Sequence, residues 1–281
     1  MSKRTLPAAT IVARPGMRTE TTPAALERWN PDVQAASDGE ADNTISVLDV
    51  IGADWYGEGV TAKRVSAALR AIGKRDVVVN INSPGGSFFE GLAIYNALRE
   101  HPAHVTVKVL GIAASAASVI AMAGDEIQIA RSGFLMIHNT WIVASGDRHA
   151  LRDVADWLEP FDAAAVDIYA ARTGMDAKEL AKMLDREAWI GGNDAVSKGF
   201  ADSLLSADAV ENRARNSAEG RSTVAAHKLD TLLAQLNVPR SERREIVQAL
   251  KGGTHDAAAT GTQDAAVIAE VSDLLASLKS I

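Results

Sequence analysis

Residues 107–126, VKVLGIAASAASVIAMAGDE, are apolar and small almost throughout, yet they hold two hydroxyls, Ser115 and Ser118. A serine reacts only where a base can take its proton and N–H donors can receive the oxyanion that forms. Ser115 follows an apolar strand pattern and Gly111, at the place where the spacing starts a helix. Such a strand-to-helix turn presents a side chain at the carboxyl end of a sheet, where the sites of open α/β folds gather. The free N–H groups of the first helical turn would point at an oxyanion there. Ala113, Ala114, Ala116 and Ala117 leave room for a peptide backbone to approach. Ser118, about one turn further on, reads as a small packing residue, and position alone would allow the same for Ser115.

A base is needed next. Of the six histidines, His101 and His104 flank Pro102, His149 lies in a polar stretch, and His227 and His255 fall near the C-terminus. His138 differs because it ends the apolar strand pattern FLMIH and begins a loop. By itself a histidine there is as readily structural; beside Ser115 it becomes a general base. The stretch INSPGGS adds a loop of Pro84, Gly85 and Gly86 after a buried strand. Glycine tolerates the dihedrals needed to turn an N–H toward a neighbouring site. For an orienting acid, LDREAW offers Asp185 and Glu187, each of which could equally be an ordinary surface carboxylate.

The composition narrows the field. With 36 acidic and 29 basic side chains the 281-residue chain carries a formal charge of −7, the wrong sign for a general nucleic-acid binder. Cysteine is absent, which removes disulfides, thiolate catalysis and cysteine-ligated zinc. Neither metal-ligand spacing nor a nucleotide-binding fingerprint appears, so no cofactor and no metal are expected. No run of about 18 uninterrupted apolar residues occurs, and the N-terminus lacks an apolar signal-peptide core. A soluble, cytoplasmic protein without membrane contact is the expectation.

The elements that must position these side chains alternate. A strand over 45–50 precedes a helix with Val65, Ala68, Leu69 and Ile72 on one face, capped by Thr61 and stopped by Gly73. The mostly apolar strand Val77–Ile81 leads into the glycine loop. A second helix carrying Leu92, Tyr95 and Leu98 ends before Pro102, and the strand VTVKVL brings the chain to the serines. EIQIA and GFLMIH read as short strands, and two helical segments follow, RHALRDVADWLEPFDAAAVDIYAARTG and DAKELAKML. Continuous apolar strands alternating with helices indicate an α/β fold with a mainly parallel sheet covered on both faces.

Residues 1–43 mix Pro, Thr, Ala and charge without a period and read as a flexible N-terminal arm, ahead of a compact domain over 44–205. Residues 206–225 are polar and small, a linker. Residues 226–281 read as a helical C-terminal tail, with stripes at Leu229, Leu232, Leu233, Leu236 and again from Val267 to Leu278.

Taken in order, INSPGGSFFEGLAIYNALR, GIAAS and MIH resemble the proteolytic subunit of the Clp serine protease family, and most of all its phage-encoded head maturation (prohead) proteases. The resemblance covers about 45–205 and includes the closing DAVSKGFADS. It implies a crotonase-like spiral of β-β-α units and a serine endopeptidase. Residue by residue it implies Ser115 as nucleophile, His138 as general base, and the N–H groups of Gly86 and Ala116 as oxyanion hole. The acid falls at Glu187, where the family normally has aspartate, with Asp185 in reserve. A homo-oligomeric ring acting on protein substrates is implied too, here scaffold and capsid proteins inside an assembling procapsid, with self-cleavage in the linker.

Three alternatives stand beside this expectation. One is an ATP-dependent degradation subunit served by a separate ATPase unfoldase. Another is an acyl-CoA hydratase or isomerase on the same scaffold, and the third a capsid-assembly protein with a decayed site.

Overall fold

The computed structural model describes residues 18–19, 21–35, 42–52, 59–206, 210–212, 217–236, 238–239 and 241–248. In chain order the elements begin β1 (Arg18–Thr19), α1 (Pro23–Arg28), β2 (Val33–Ala35), β3 (Thr44–Val47), α2 (Ala62–Ile72), β4 (Val77–Ser83) and α3 (Phe88–Arg99). They continue with β5 (Val105–Ala114), α4 (Ala116–Ala121), β6 (Glu126–Ile129), β7 (Phe134–Ile137), β8 (Ile142–Val143), α5 (Arg148–Thr173) and α6 (Ala177–Asp185). The last are β9 (Ala188–Gly191), α7 (Gly192–Ser197), β10 (Ser203–Leu204), β11 (Val210–Asn212) and α8 (Ser217–Gln235). None of the described helices is long and apolar enough to cross a membrane.

The main sheet runs β10-β6-β5-β4-β3, all parallel, and β7 joins it through β5. β5 is the axis of the molecule. Its first half, Thr106–Val109, pairs with β6, and its second half, Ile112–Ala114, pairs with β7. β9 then adds to β7 antiparallel, the single antiparallel pairing in this sheet among the described strands. The mainly parallel α/β architecture is therefore the one the alternating sequence pattern implies.

Local signals work as their chemistry dictates. The Thr61 hydroxyl accepts the Arg64 N–H at 3.3 Å to start α2, and Gly73 ends it at φ 75°. Ser87 caps α3 in the same way. Val79, Ile81, Val107 and Val109 lie wholly buried in the principal core with Leu92, Ile94 and Tyr95 of α3. They share one face of their strands, while Asn80, Thr106 and Lys108 at alternate positions put polar side chains on the other, so these strands are not apolar on both faces as their pattern suggested.

The opposite face of the β5–β7–β9 end is covered by a part of the N-terminal segment. Ala25 and Leu26 of α1, followed by Trp29, pack on Ile112, Ala114 and Met136 in a second cluster that Trp189 and Val224 complete. Residues 21–35 of the segment are thus docked, a feature no hydrophobic period announces because only three apolar side chains make the contact. The fastening is polar and comes from Asn82 of the INSPGG stretch. Its Nδ2 donates to the carbonyls of Asn30 (2.7 Å) and Val33 (3.0 Å), and its Oδ1 accepts the Ile112 N–H (3.2 Å). The Trp29 indole N–H donates to the Asn82 carbonyl at 3.0 Å. Asn82→Ala removes three hydrogen bonds, one buried and two part-buried, and should cost about 2–4 kcal/mol. Hydrogen exchange at residues 25–35 should accelerate by tenfold or more while the main sheet stays protected; uniform protection throughout would show that α1 docks without it.

Beyond Leu205 the chain is more structured than its composition suggests. β11 pairs antiparallel with β2, so the linker region carries a strand. α8 lies against α1, with Lys228 3.7 Å from Glu27. Of the expected leucine stripe, Leu233 is buried, Leu229 partly so, and Leu232 and Leu236 are more than half exposed. The inward face of α8 is instead Ala226, His227 and Leu233, with the His227 ring 3.2 Å from Asp49 Oδ1. Residues 241–248 are helical, and the last stripe at 267–278 lies outside the described residues.

Candidate active site

The carboxyl ends of three neighbouring parallel strands bring the chemistry together. β5 ends at Ala114 beside Met136 of β7, and the Ser115 N–H donates to the Met136 carbonyl at 2.8 Å. Two residues past that contact β7 gives way to His138. Its Nε2 lies 2.6 Å from Ser115 Oγ, well within the distance for proton transfer. The two residues are 23 apart in sequence, and the parallel register alone makes them neighbours.

Ser115 adopts φ 55° and ψ −125°, a sparsely populated conformation for a side chain with a Cβ. The turn lifts Oγ out of the β5–α4 junction, leaving Ser115 partly exposed between buried alanines. Ser118 sits on the buried side of α4. Its Oγ donates to the Ser115 carbonyl at 2.6 Å and lies 2.8 Å from the Tyr169 hydroxyl of α5.

β4 contributes the glycine loop. Gly85 (φ 90°) and Gly86 (φ 143°) both hold conformations that favour glycine. A Cβ on Gly85 would lie 2.7 Å from Ser115 Cβ and 3.2 Å from Ala116 N, so the loop presses against the serine turn. On the other side Ile51 N–H donates to Gly85 O (2.8 Å) and Ser87 N–H to Ile51 O (2.9 Å). This bridge does not use the Gly86 N–H. The Ala116 N–H opens α4 and is one of the donors a helix start leaves without an intrahelical acceptor. Both expected oxyanion donors therefore border the serine. Gly86, Ser115, His138 and Tyr169 line one small cavity with Thr140 and Trp141.

Burial pushes the His138 imidazole down to about 4, since removal from water disfavours the imidazolium. Among the described residues no carboxylate hydrogen-bonds or ion-pairs with its ring. Glu187 is exposed, and Asp185 Oδ1 accepts from the Asn139 amide at 2.9 Å. Asp162 of α5 accepts the Thr140 N–H at 2.6 Å, and burial, with Asp185 adding to it, raises its carboxyl above the usual range. The expected Ser115–His138 pair is thus assembled, and neither acid candidate touches the imidazole.

Strand placement bears on the two acid candidates. In the antiparallel β7–β9 ladder Ile137 faces Ala188. His138 directly follows β7 and Glu187 directly precedes β9, so the two flank the last pair of the ladder. Glu187 also holds φ 50°, which is costly for a residue with a Cβ. No property of the LDREAW stretch discloses this placement, because it depends on which residue of β9 meets which of β7.

Comparison with known proteins agrees with this geometry. The family model described as Clp protease matches residues 58–208. ATP-dependent Clp protease proteolytic subunit 3 of Rhodococcus jostii is 35% identical over 136 residues, spanning 47% of this chain and 67% of the relative. Proteolytic subunit 1 of Chlamydia muridarum is 28% identical over 162 residues, 54% of this chain and 84% of its own length. The proteolytic subunit of Borrelia garinii is 29% identical over 133 residues, 47% of this chain and 69% of that one. The chain belongs to the Clp protease family and is a serine-type peptidase, a hydrolase. Its α/β architecture with a mainly parallel sheet is consistent with that family's fold.

Proposed function

We propose that residues 44–205 form an endopeptidase domain in which Ser115 attacks the peptide carbonyl and His138 is the general base. The observation that carries this is the 2.6 Å approach of His138 Nε2 to Ser115 Oγ at the ends of adjacent strands. The Ser115 hydroxyl proton passes to Nε2 as Oγ bonds to the carbonyl carbon, and the oxyanion is received by the N–H groups of Gly86 and Ala116. Nε2–H then protonates the leaving amine, the C–N bond breaks, and an acyl-serine remains. Water, deprotonated by the same nitrogen, releases the second product and restores Ser115. A base must be neutral to begin this cycle, and the depressed His138 provides the neutral imidazole.

Glu187 is the acid in this proposal. From its place directly before β9 its carboxylate would turn to the imidazole, where it would fix the tautomer and stabilise the imidazolium. Glu187→Gln should lower kcat by about 10–100-fold with KM nearly unchanged. Asp185→Asn, which disturbs the Asn139 contact and the charge felt by Asp162, should cost less than about threefold. The reverse ranking in steady-state peptide hydrolysis would move the acid to Asp185.

The test of the reading is intact-mass analysis after fluorophosphonate treatment. Wild type should gain a single adduct that both Ser115→Ala and His138→Ala lack. A folded wild type that stays unmodified would favour a capsid-assembly protein with a decayed site.

For the biological substrate we propose scaffold and capsid proteins of an assembling phage head, processed by a homo-oligomeric ring. The support is the resemblance of the motifs, together with the added elements α1, β11 and α8, which lie outside the family match at 58–208. Self-cleavage between about 206 and 225 belongs to this reading, and the same mass spectra read it directly. The names of the relatives, ATP-dependent Clp protease proteolytic subunits, favour a second reading, a degradation subunit served by a separate ATPase unfoldase. Degradation of a folded protein only when such an unfoldase and ATP are added would select it.

A further inference from the structure

Ser115 needs support to keep its backbone conformation. Its N–H is held by Met136 of β7, and its carbonyl oxygen accepts from Ser118 N (2.9 Å), more weakly from Val119 N (3.4 Å), and from Ser118 Oγ at 2.6 Å. The hydroxyl contact is the shortest of the three. A serine hydroxyl has one proton, and here it goes to the Ser115 carbonyl, which can only accept. The 2.8 Å contact between Ser118 Oγ and the Tyr169 hydroxyl must then run from tyrosine to serine. Tyr169 is 2% exposed and Ser118 wholly buried. Burial raises the Tyr169 phenol, so it remains a donor at any working pH. The result is a one-way chain, Tyr169 to Ser118 to the Ser115 carbonyl, linking α5 to the nucleophile's own peptide group.

We propose that Ser118 and Tyr169 are positioning residues for Ser115, holding the strained turn that aims Oγ at His138. An alanine would fill the Ser118 position as a small helix-packing residue, but it would leave the Tyr169 hydroxyl without its acceptor and the Ser115 carbonyl without its closest donor. The turn would then be free to relax toward common dihedrals, and a shift of well under 1 Å at Oγ is enough to slow attack.

This inference rests on the reading of Ser115 as nucleophile, and the experiment separates the two. Full-length wild type, Ser118→Ala, Tyr169→Phe, the double variant and Ser115→Ala are compared by hydrolysis of unfolded fluorescein-labelled casein and by the rate of fluorophosphonate labelling across pH. Ser118→Ala should lower kcat and the labelling rate about tenfold, with KM within twofold of wild type and the pH midpoint unmoved. Tyr169→Phe should lower both about threefold. The double variant should be no worse than Ser118→Ala, because the two act in series. Tyr169→Phe removes one oxygen and keeps the packing, so it reads the chain even where Ser118→Ala folds poorly. Wild-type rates in both single variants, or losses that multiply in the double, would overturn the proposal while leaving Ser115 in place. Hydrolysis and labelling that persist in Ser115→Ala would overturn the nucleophile reading instead.

Discussion

Ser115→Ala is expected to lower kcat for peptide hydrolysis by about 10⁴–10⁶-fold while the protein folds and binds substrate normally. The size follows from what is lost. Without Oγ there is no covalent route, and the oxyanion donors proposed at Gly86 and Ala116 could assist only direct attack by water. The substitution removes one partly exposed oxygen from a turn whose backbone bonds to Met136 and Ser118 persist, so stability should change little. Alanine retains the Cβ that disfavours φ 55°, so the turn is no less strained than before. Steady-state kinetics beside a thermal melt would check both halves. A variant that keeps more than about a hundredth of wild-type kcat would mean that Ser115 is not the nucleophile.

His138→Ala should cost nearly as much, and the double variant with Ser115→Ala should be no slower than either single one, because residues that act as a unit do not add. The pH dependence is the more informative measurement. A base acts when neutral, so activity is lost as pH falls through its pKa. Burial lowers the His138 value from 6.5 to about 4, so the acidic limb of kcat/KM should lie well below 6.5 and activity should persist through pH 6 and 5. kcat/KM reports the free enzyme and kcat the substrate complex. If Glu187 swings onto the ring when substrate is bound, the acidic limb of kcat will lie above that of kcat/KM. The gap should close in Glu187→Gln. Coincident limbs in wild type would count against Glu187 as the acid, and a kcat/KM midpoint at or above 6.5 would contradict the buried, unpaired imidazole.

Much of this was legible in the residues themselves. Strand and helix periods, Thr61 and Gly73 as helix bounds, the glycine loop after an apolar strand, and a serine at a strand-to-helix turn are local signals. Each acts over a few residues, which is why a linear pattern discloses them and why the α/β class and the Ser115–His138 candidates could be named. Long-range register lies beyond such signals. Only the division of β5 between β6 and β7 sets His138 beside Ser115, and only the β7–β9 ladder brings Glu187, just before β9, to the end of the sheet where His138 follows β7.

The docking of α1 was hidden for a related reason. It depends on Asn82, a polar residue whose four contacts reach residues 29–33 and 112, and polarity alone does not reveal a buried partner. Ser118 shows the limit most plainly. In sequence it is a small residue in a small-residue helix; the meeting of α4 with α5 brings it to Tyr169 and makes its hydroxyl part of the support for Ser115. Local chemistry determined which elements and which reactive side chains this chain has. The packing of strand on strand and helix on helix decided which of them meet, because hydrogen-bond register and burial are properties of pairs of segments.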